Sequence, residues 1–110
     1  MDYDVNVYYN PDKCGLANIG TLDEDDLSYE YNTLIVVKHL ESGRLFWTQD
    51  SGCSCPTPFE DERFTSPDDT SLEEITSSSL ENFERAVNGF PTNQEERGKL
   101  IDVVRKAVSA

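Results

Sequence analysis

Hydrophobic and polar residues alternate with a period of two at the start of the chain. Tyr3, Val5, Val7 and Tyr9 are separated by polar residues and by Tyr8, and this alternation predicts a strand. The turn residues Asn10, Pro11 and Asp12 end it. Residues 16–22 form a weaker strand candidate, interrupted by Gly20 and followed by an acidic turn at residues 23–26.

The most strongly apolar stretch is residues 29–40, which predicts the best strand of the protein. It carries apolar residues on both faces, with Ile35 and Val37 on one and Leu34 and Val36 on the other. This distribution indicates a central strand that is covered on both sides. A short turn at residues 41–43, in which Gly43 can take a positive φ, leads into a partner strand at residues 44–49.

The hydrophobic period changes to that of helices near residue 77. Ser78 and Glu81 have the spacing of a capping box, and Gly89 is expected to end the helix that they open. Thr92 and Glu95 repeat the pattern before a second helix. Its apolar stripe is formed by Leu100, Ile101, Val104, Ala107 and Val108.

These elements predict a single α+β domain over residues 1–110. Residues 1–50 are mainly strands, residues 51–76 an irregular loop, and residues 77–110 two helices. We expect a small antiparallel sheet of three or four strands with both C-terminal helices packed on one face. Phe46 and Trp47 should then point to opposite faces. The residues predicted to be mostly buried are Leu34, Ile35, Val36, Val37, Leu80, Phe83, Val87, Leu100, Ile101 and Val104.

Charge narrows the choice of partner. The chain has 22 acidic and 9 basic residues, a formal net charge of −13. A field of that sign repels nucleic acid and anionic membranes and attracts basic proteins. The N-terminus lacks the basic and apolar regions of a signal peptide, and no apolar run approaches transmembrane length. We therefore expect a cytoplasmic protein with reduced cysteines and a basic protein partner, but neither membrane association nor direct nucleic-acid binding. The oligomeric state is left open.

One loop stands out as a candidate interaction site, because it combines a glycine, two thiols, two prolines and an aromatic residue. Gly52 would take a positive φ at the strand end, the prolines would fix the backbone, and Phe59 would anchor the far end in the sheet edge or the helix layer. The loop could equally serve only as scaffold. Its candidate residues are Asp50, Ser51, Gly52, Cys53, Ser54, Cys55, Pro56, Pro58, Phe59 and Glu60.

The same loop carries a family resemblance. The run Asp-Ser-Gly-Cys-Ser-Cys-Pro-Thr-Pro-Phe-Glu at residues 50–60 resembles small uncharacterised proteins encoded by phages of actinobacteria, of the mycobacteriophage type. The Tyr-Asp-Val at residues 3–5, the Tyr-Tyr-Asn-Pro-Asp-Lys at residues 8–13 and the following Gly15 and Leu16 are similar too. The likeness covers about the first two thirds of the chain. It implies a phage gene product acting in a bacterial cytoplasm, and it carries over no catalytic residue.

Two kinds of function therefore remain in view. The first is an acidic accessory protein that binds a host or phage protein, as a host-modulating inhibitor or as a mimic of DNA. The second is a metal-binding or thiol-dependent domain, since Cys14, His39, Cys53 and Cys55 add up to a Cys3His zinc set. Zinc sites usually draw their ligands as two local pairs, and here only one pair is local. We predict no catalytic residue and no cofactor other than this zinc alternative, because no group that would orient a Cys–His pair is evident.

Overall fold

The computed structural model describes residues 6–24, 30–53 and 58–109, with the backbone alone at Cys53. A 3-10 helix at Pro11–Cys14 precedes the first strand. The strands are β1 (Leu16–Asp23), β2 (Glu30–His39), β3 (Leu45–Cys53), β4 (Phe64–Ser66), β5 (Asp69–Thr70) and β6 (Glu73–Ile75). The helices are α1 (Leu80–Asn88) and α2 (Gln94–Ser109). Neither helix combines the length and apolar character that spanning a membrane requires, within the part of the chain described.

The main sheet is antiparallel, with the strand order β1-β2-β3-β6. The predicted central strand is confirmed, because β2 pairs along one side with β1 and along the other with β3. Ile35 marks the middle of the sheet, lying opposite Thr21 of β1 and Thr48 of β3. Gly43, in the turn between β2 and β3, has the expected positive φ of 77°. A separate hairpin pairs β4 with β5.

Each face of the sheet is covered, by different parts of the chain. The helix face packs Leu34 and Val36 against α1 and α2, and the ring centroids of Trp47 and Phe83 lie 5.9 Å apart in an edge-to-face arrangement. The opposite face buries Phe46, which meets Phe64 of β4 at 5.2 Å. The predicted divergence of Phe46 and Trp47 is therefore confirmed, as is the packing of both helices on one face. Of the residues predicted to be buried, all are buried except Leu80, which is half-buried.

Both helix starts lie one residue later than predicted. The residue before α1 is Ser79, not Ser78, and its hydroxyl donates to the carbonyl of Glu74 instead of capping the helix. At α2, the Oδ1 atom of Asn93, not a side chain of Thr92, accepts the N–H of Glu96 at 2.8 Å. An asparagine caps a helix at least as well as a threonine does. The spacing of Thr92 and Glu95 therefore predicted the start of α2 one residue too early.

Two further expectations require correction. Residues 7–9 form a turn instead of the end of a strand, while Tyr3 and Val5 lie outside the described residues. The cause is Asn6, whose Oδ1 atom accepts the N–H groups of Tyr8 and Tyr9 at 2.8 and 2.9 Å and so competes with strand pairing.

The segment at residues 51–76 is also more regular than expected, since it contains the last part of β3 together with β4, β5 and β6. Strands of two or three residues are too short to show a hydrophobic period. The segment nevertheless contributes the buried residues Phe59, Phe64, Leu72 and Ile75.

Candidate interaction surface

The predicted interaction loop is divided by the structure into two described parts. Asp50, Ser51, Gly52 and Cys53 are the last residues of β3, paired with residues 30–33 of β2. Pro58, Phe59 and Glu60 belong to a turn that includes Asp61. Ser54, Cys55 and Pro56 lie outside the described residues.

Asp50 joins the two parts. Its Oδ2 atom accepts the backbone N–H of Phe59 and the hydroxyl of Tyr31, each at 2.8 Å. Its Oδ1 atom accepts the N–H of Ser51 at 3.0 Å. A charged acceptor with three donors holds the turn in one position relative to the sheet.

Phe59 anchors the turn, as expected, but in a different place. Its side chain is 1% exposed and lies on the face opposite the helices, not in the helix layer. It also takes the positive φ, 63°, that the sequence suggested for Gly52. Gly52 remains extended in β3, where its Cα lies against the ring of Tyr31. A non-glycine residue with positive φ is uncommon, and here the burial of the ring and the bond to Asp50 offset its strain.

The N-terminal turn at residues 7–9 and the preceding Asn6 contact the turn of Phe59 from the other side. Asn6 donates from Nδ2 to the carbonyl of Pro58 at 3.1 Å, and the ring of Tyr8 lies 5.2 Å from that of Phe59. Burial raises the pKa of Tyr8 above its ordinary value, and the charge of Asp23 raises it further. The sequence reasoning missed Asn6 and Tyr8 because it placed both in a strand. Asn6 is followed by Val7 and is not part of a turn dipeptide, so no local signal marked these two residues.

Two carboxylates project from the anchored turn. Glu60 and Asp61 are exposed, and neither forms an ion pair within the described residues. Glu62, by contrast, accepts the hydroxyl of Thr48 at 3.0 Å and that of Ser71 at 2.6 Å. The turn therefore presents fixed negative charge to solvent.

Charge is distributed unevenly along the sheet. Residues 14–37 and 45–62 contain no lysine or arginine, so the basic residues of the β2–β3 hairpin, Lys38 and Arg44, lie at its turn. Arg44 is already engaged there, donating to Glu74 at 2.7 and 3.0 Å and to Asp68 at 3.2 Å. At the other end lie six carboxylates, which we call the acidic end: Asp23, Glu24, Glu30, Asp50, Glu60 and Asp61.

Cys55 lies outside the described residues, and the register separates the other three residues of the zinc alternative. His39 is the last residue of β2 and lies opposite Leu16, close to Cys14, whereas Cys53 lies opposite Glu30, the first residue of β2. Since a strand rises about 3.3 Å per residue, the two ends of β2 are about 30 Å apart. Zinc holds each ligand atom at about 2–2.3 Å, so Cys14 and His39 cannot share an ion with Cys53. The same distance rules out a disulfide between Cys14 and Cys53.

His39 has other partners at its end of the sheet. Its Nδ1 atom lies 2.7 Å from Oγ of Ser42, and its ring packs 5.5 Å from that of Phe64. Burial raises the pKa of the Cys14 thiol, and the nearby Asp12 raises it further. A thiol with a raised pKa is a poor nucleophile and a poor metal ligand at neutral pH. No group of three potential metal-binding side chains occurs among the described residues.

Comparison with known proteins gives one match. The profile of a family described as a domain of unknown function, DUF7574, matches residues 5–110. The chain belongs to the DUF7574 family. No curated protein and no solved structure matches the chain. The DUF7574 match includes the N-terminal turn and every strand and helix that the structure describes, so the acidic end and the helix layer are parts of one family unit.

Proposed function

We propose that this protein is an acidic accessory protein, of the phage type that its sequence resembles, and that it binds a basic protein of the host or of the phage. In this proposal it acts in the cytoplasm of a bacterial host cell. The observation that carries the proposal is the acidic end of the sheet, where six carboxylates occur along stretches of sequence that contain no basic residue.

The location of the carboxylates supports this function as much as their number does. Charges on helices α1 and α2 are interspersed, and several are paired, as in Arg105 with Glu84 and Lys99 with Glu95. Among the residues that the structure describes, no carboxylate of the acidic end forms an ion pair, so its field extends into solvent and accelerates encounter with a positively charged surface.

The fixed conformation of the turn at residues 58–61 also supports the proposed function. The turn that carries Glu60 and Asp61 is fixed by Asp50, by the buried ring of Phe59 and by Asn6. A contact surface that is already ordered loses little conformational entropy on binding. A partner that itself binds nucleic acid would present a suitable basic surface, and the carboxylates would then occupy its phosphate-binding site.

The test is capture of partners from host lysate by two variants of equal charge. The first removes three carboxylates at the acidic end (Glu30→Gln, Glu60→Gln and Asp61→Asn). The second removes three exposed carboxylates elsewhere (Glu41→Gln, Glu73→Gln and Asp102→Asn). Both move the formal net charge from −13 to −10, so they differ only in location.

We expect the first variant to lose the basic partner that the wild type and the second variant retain, and we expect binding to weaken as salt is raised. Equal capture by the two variants, or a captured partner without a basic surface, would refute the proposal. Competition by duplex DNA for the purified partner then shows whether its nucleic-acid site is the one occupied.

A further inference from the structure

The C-terminal end of α1 carries the pair Asn88-Gly89, in which an asparagine precedes the least hindered backbone nitrogen that a chain can offer. Asn88 is the last residue of α1, and both it and Gly89 are exposed. The side-chain amide of Asn88 has no hydrogen-bond partner among the residues that the structure describes. Neither burial nor a partner therefore holds this amide away from the nitrogen that follows it.

An asparagine amide next to such a nitrogen can react with it. The nitrogen of Gly89 loses its proton and attacks Cγ of Asn88. A C–N bond forms, and the amide NH2 leaves with a proton as ammonia, so that a cyclic imide remains. Water, the only other reactant, then opens the imide at either of its two carbonyl groups. One opening gives an aspartate, and the other gives an isoaspartate, whose main chain runs through the side-chain carbon atoms.

The backbone conformation does not require a glycine at this helix end. The φ and ψ of Gly89 are −88° and −4°, a region that residues with a Cβ also adopt, so the positive φ usual for a glycine after a helix is absent. A Cβ added there would lie 3.5 Å from the carbonyl oxygen of Arg85, an ordinary contact distance. Gly89→Ala can therefore hinder the nitrogen without straining the fold.

The intact helix slows this reaction. The N–H of Gly89 donates to the carbonyl of Arg85 at 3.1 Å, so the nitrogen keeps its proton while the last turn of α1 is formed. Closure of the imide ring also requires the backbone of Asn88 to rotate out of its helical conformation. Both conditions are met only when the last turn opens, and helix ends open at a lower free energy than the core does.

The residues that follow limit this opening. Phe90 is 2% exposed, and its N–H donates to the carbonyl of Val87 at 3.0 Å. Nη1 of Arg97 in α2 donates to the carbonyls of Phe90, at 3.1 Å, and of Thr92. These contacts hold the chain against α2 directly after Gly89, so the stability of this junction sets how often the last turn of α1 opens.

We propose that Asn88-Gly89 is a site of spontaneous deamidation, which proceeds in the folded protein at a rate set by opening of the last turn of α1. The isoaspartate product adds one carbon atom to the main chain between the two residues, so the fit between the helix end and the buried ring of Phe90 is lost. The new carboxylate also lies at the negative end of the α1 dipole. Modification therefore loosens the junction of α1 and α2 and limits the lifetime of the fold. This inference is independent of the proposed function.

The test is incubation of the intact protein at mildly alkaline pH, followed by peptide mapping with mass spectrometry. Exchange of NH2 for OH at Asn88 raises the mass of its peptide, and the aspartate and isoaspartate products elute separately. The same chain unfolded in urea is the reference. We expect modification at Asn88 in both states, about tenfold slower in the folded protein. Equal rates in the two states would overturn the proposal, as would an unmodified folded protein when the unfolded chain is fully converted.

Variants separate local opening from global unfolding. Gly89→Ala should suppress the modification, and Arg97→Ala should accelerate it by about fivefold, because the junction after Gly89 loses two hydrogen bonds. Arg44→Ala is the matched control, since it loses hydrogen bonds to Glu74 and Asp68 instead, and it should leave the rate unchanged. Equal rates in the Arg97 and Arg44 variants would refute control by the end of α1.

Thermal unfolding of the separated products tests the structural consequence. The isoaspartate form should unfold at a lower temperature than the unmodified protein. Asn88→Asp has the same added charge with a normal main chain, so its melting temperature should lie between the two. An isoaspartate form that is as stable as Asn88→Asp would show that the extra carbon atom leaves the junction intact, and would refute the loosening.

Discussion

Asp50 and Phe59 are joined by a hydrogen bond of 2.8 Å from a backbone N–H to a carboxylate, nine residues apart in the chain. The same carboxylate oxygen accepts the hydroxyl of Tyr31 on the neighbouring strand. This one side chain fixes the end of β3, the start of the central strand β2 and the anchored turn to each other.

Replacing Asp50 with alanine should therefore lower the free energy of unfolding by about 1–3 kcal/mol, because three donors lose a charged acceptor. Urea unfolding at neutral pH measures the change. Ser51→Ala is the matched control on the next residue, since Ser51 is exposed and should shift stability by no more than about 0.5 kcal/mol. Equal stability of the two variants would contradict the anchoring role of Asp50.

Phe83 is completely buried between the sheet and α2 and meets Trp47 edge-on. Phe83→Ala should cost about 3–5 kcal/mol, from lost burial and from the cavity left behind. Asn82→Ala changes the adjacent exposed residue of α1 and should leave the melting temperature nearly constant. Tryptophan fluorescence provides a second readout, which should change only in the Phe83 variant.

Replacement by alanine should change the stability of the protein in opposite directions at two glycines. A Cβ at Gly20 would lie 2.2 Å from Cδ1 of the buried Leu100, so Gly20→Ala forces that side chain to move and should lower stability by about 1–3 kcal/mol. A Cβ at Gly98, inside α2, meets nothing within 4 Å. Gly98→Ala should raise stability by about 1 kcal/mol through helix propensity alone. Thermal unfolding of the two variants side by side checks both signs.

Glu84 accepts two hydrogen bonds from Arg105, at 2.6 and 2.8 Å, and these bonds lower its pKa below the ordinary 4.5. A carboxyl group whose pKa is lower in the folded state stabilises the fold above its unfolded pKa, and this contribution is lost as pH falls through the folded value. The stability gap between wild type and Glu84→Gln should therefore be largest above pH 4.5 and shrink as the pH falls below it. Urea unfolding across this range measures the gap. A gap that is constant with pH would contradict the role assigned to the pair.

Cys14 should react slowly with iodoacetamide at neutral pH, because burial and Asp12 both raise its pKa and so reduce its thiolate fraction. Peptide mapping after brief labelling measures the rate at this residue against the same residue in the urea-unfolded chain. Asp12→Asn should accelerate labelling of the folded protein. Labelling as fast in the folded as in the unfolded chain would contradict the assignment.

The sequence by itself determined the architecture. Apolar residues on both faces at residues 29–40 require a strand with cover on each side, and the apolar stripes of the two C-terminal segments require helices on one of those faces. The opposite orientations of Phe46 and Trp47 follow from the period of a strand alone. The net charge and the unusual loop were likewise readable directly.

Only the tertiary structure decided which side chains meet. The bonds of Asp50 and Asn6 to the turn at residues 58–61 join parts of the chain that no local period relates, and Phe59 takes a positive φ because its burial outweighs the backbone preference. The strand register, set by long-range pairing, put Cys53 at the far end of the sheet from His39 and gathered the carboxylates at the acidic end. Leu100 of α2 lies against Gly20 of β1, a contact between residues eighty positions apart that hydrophobic patterning cannot specify.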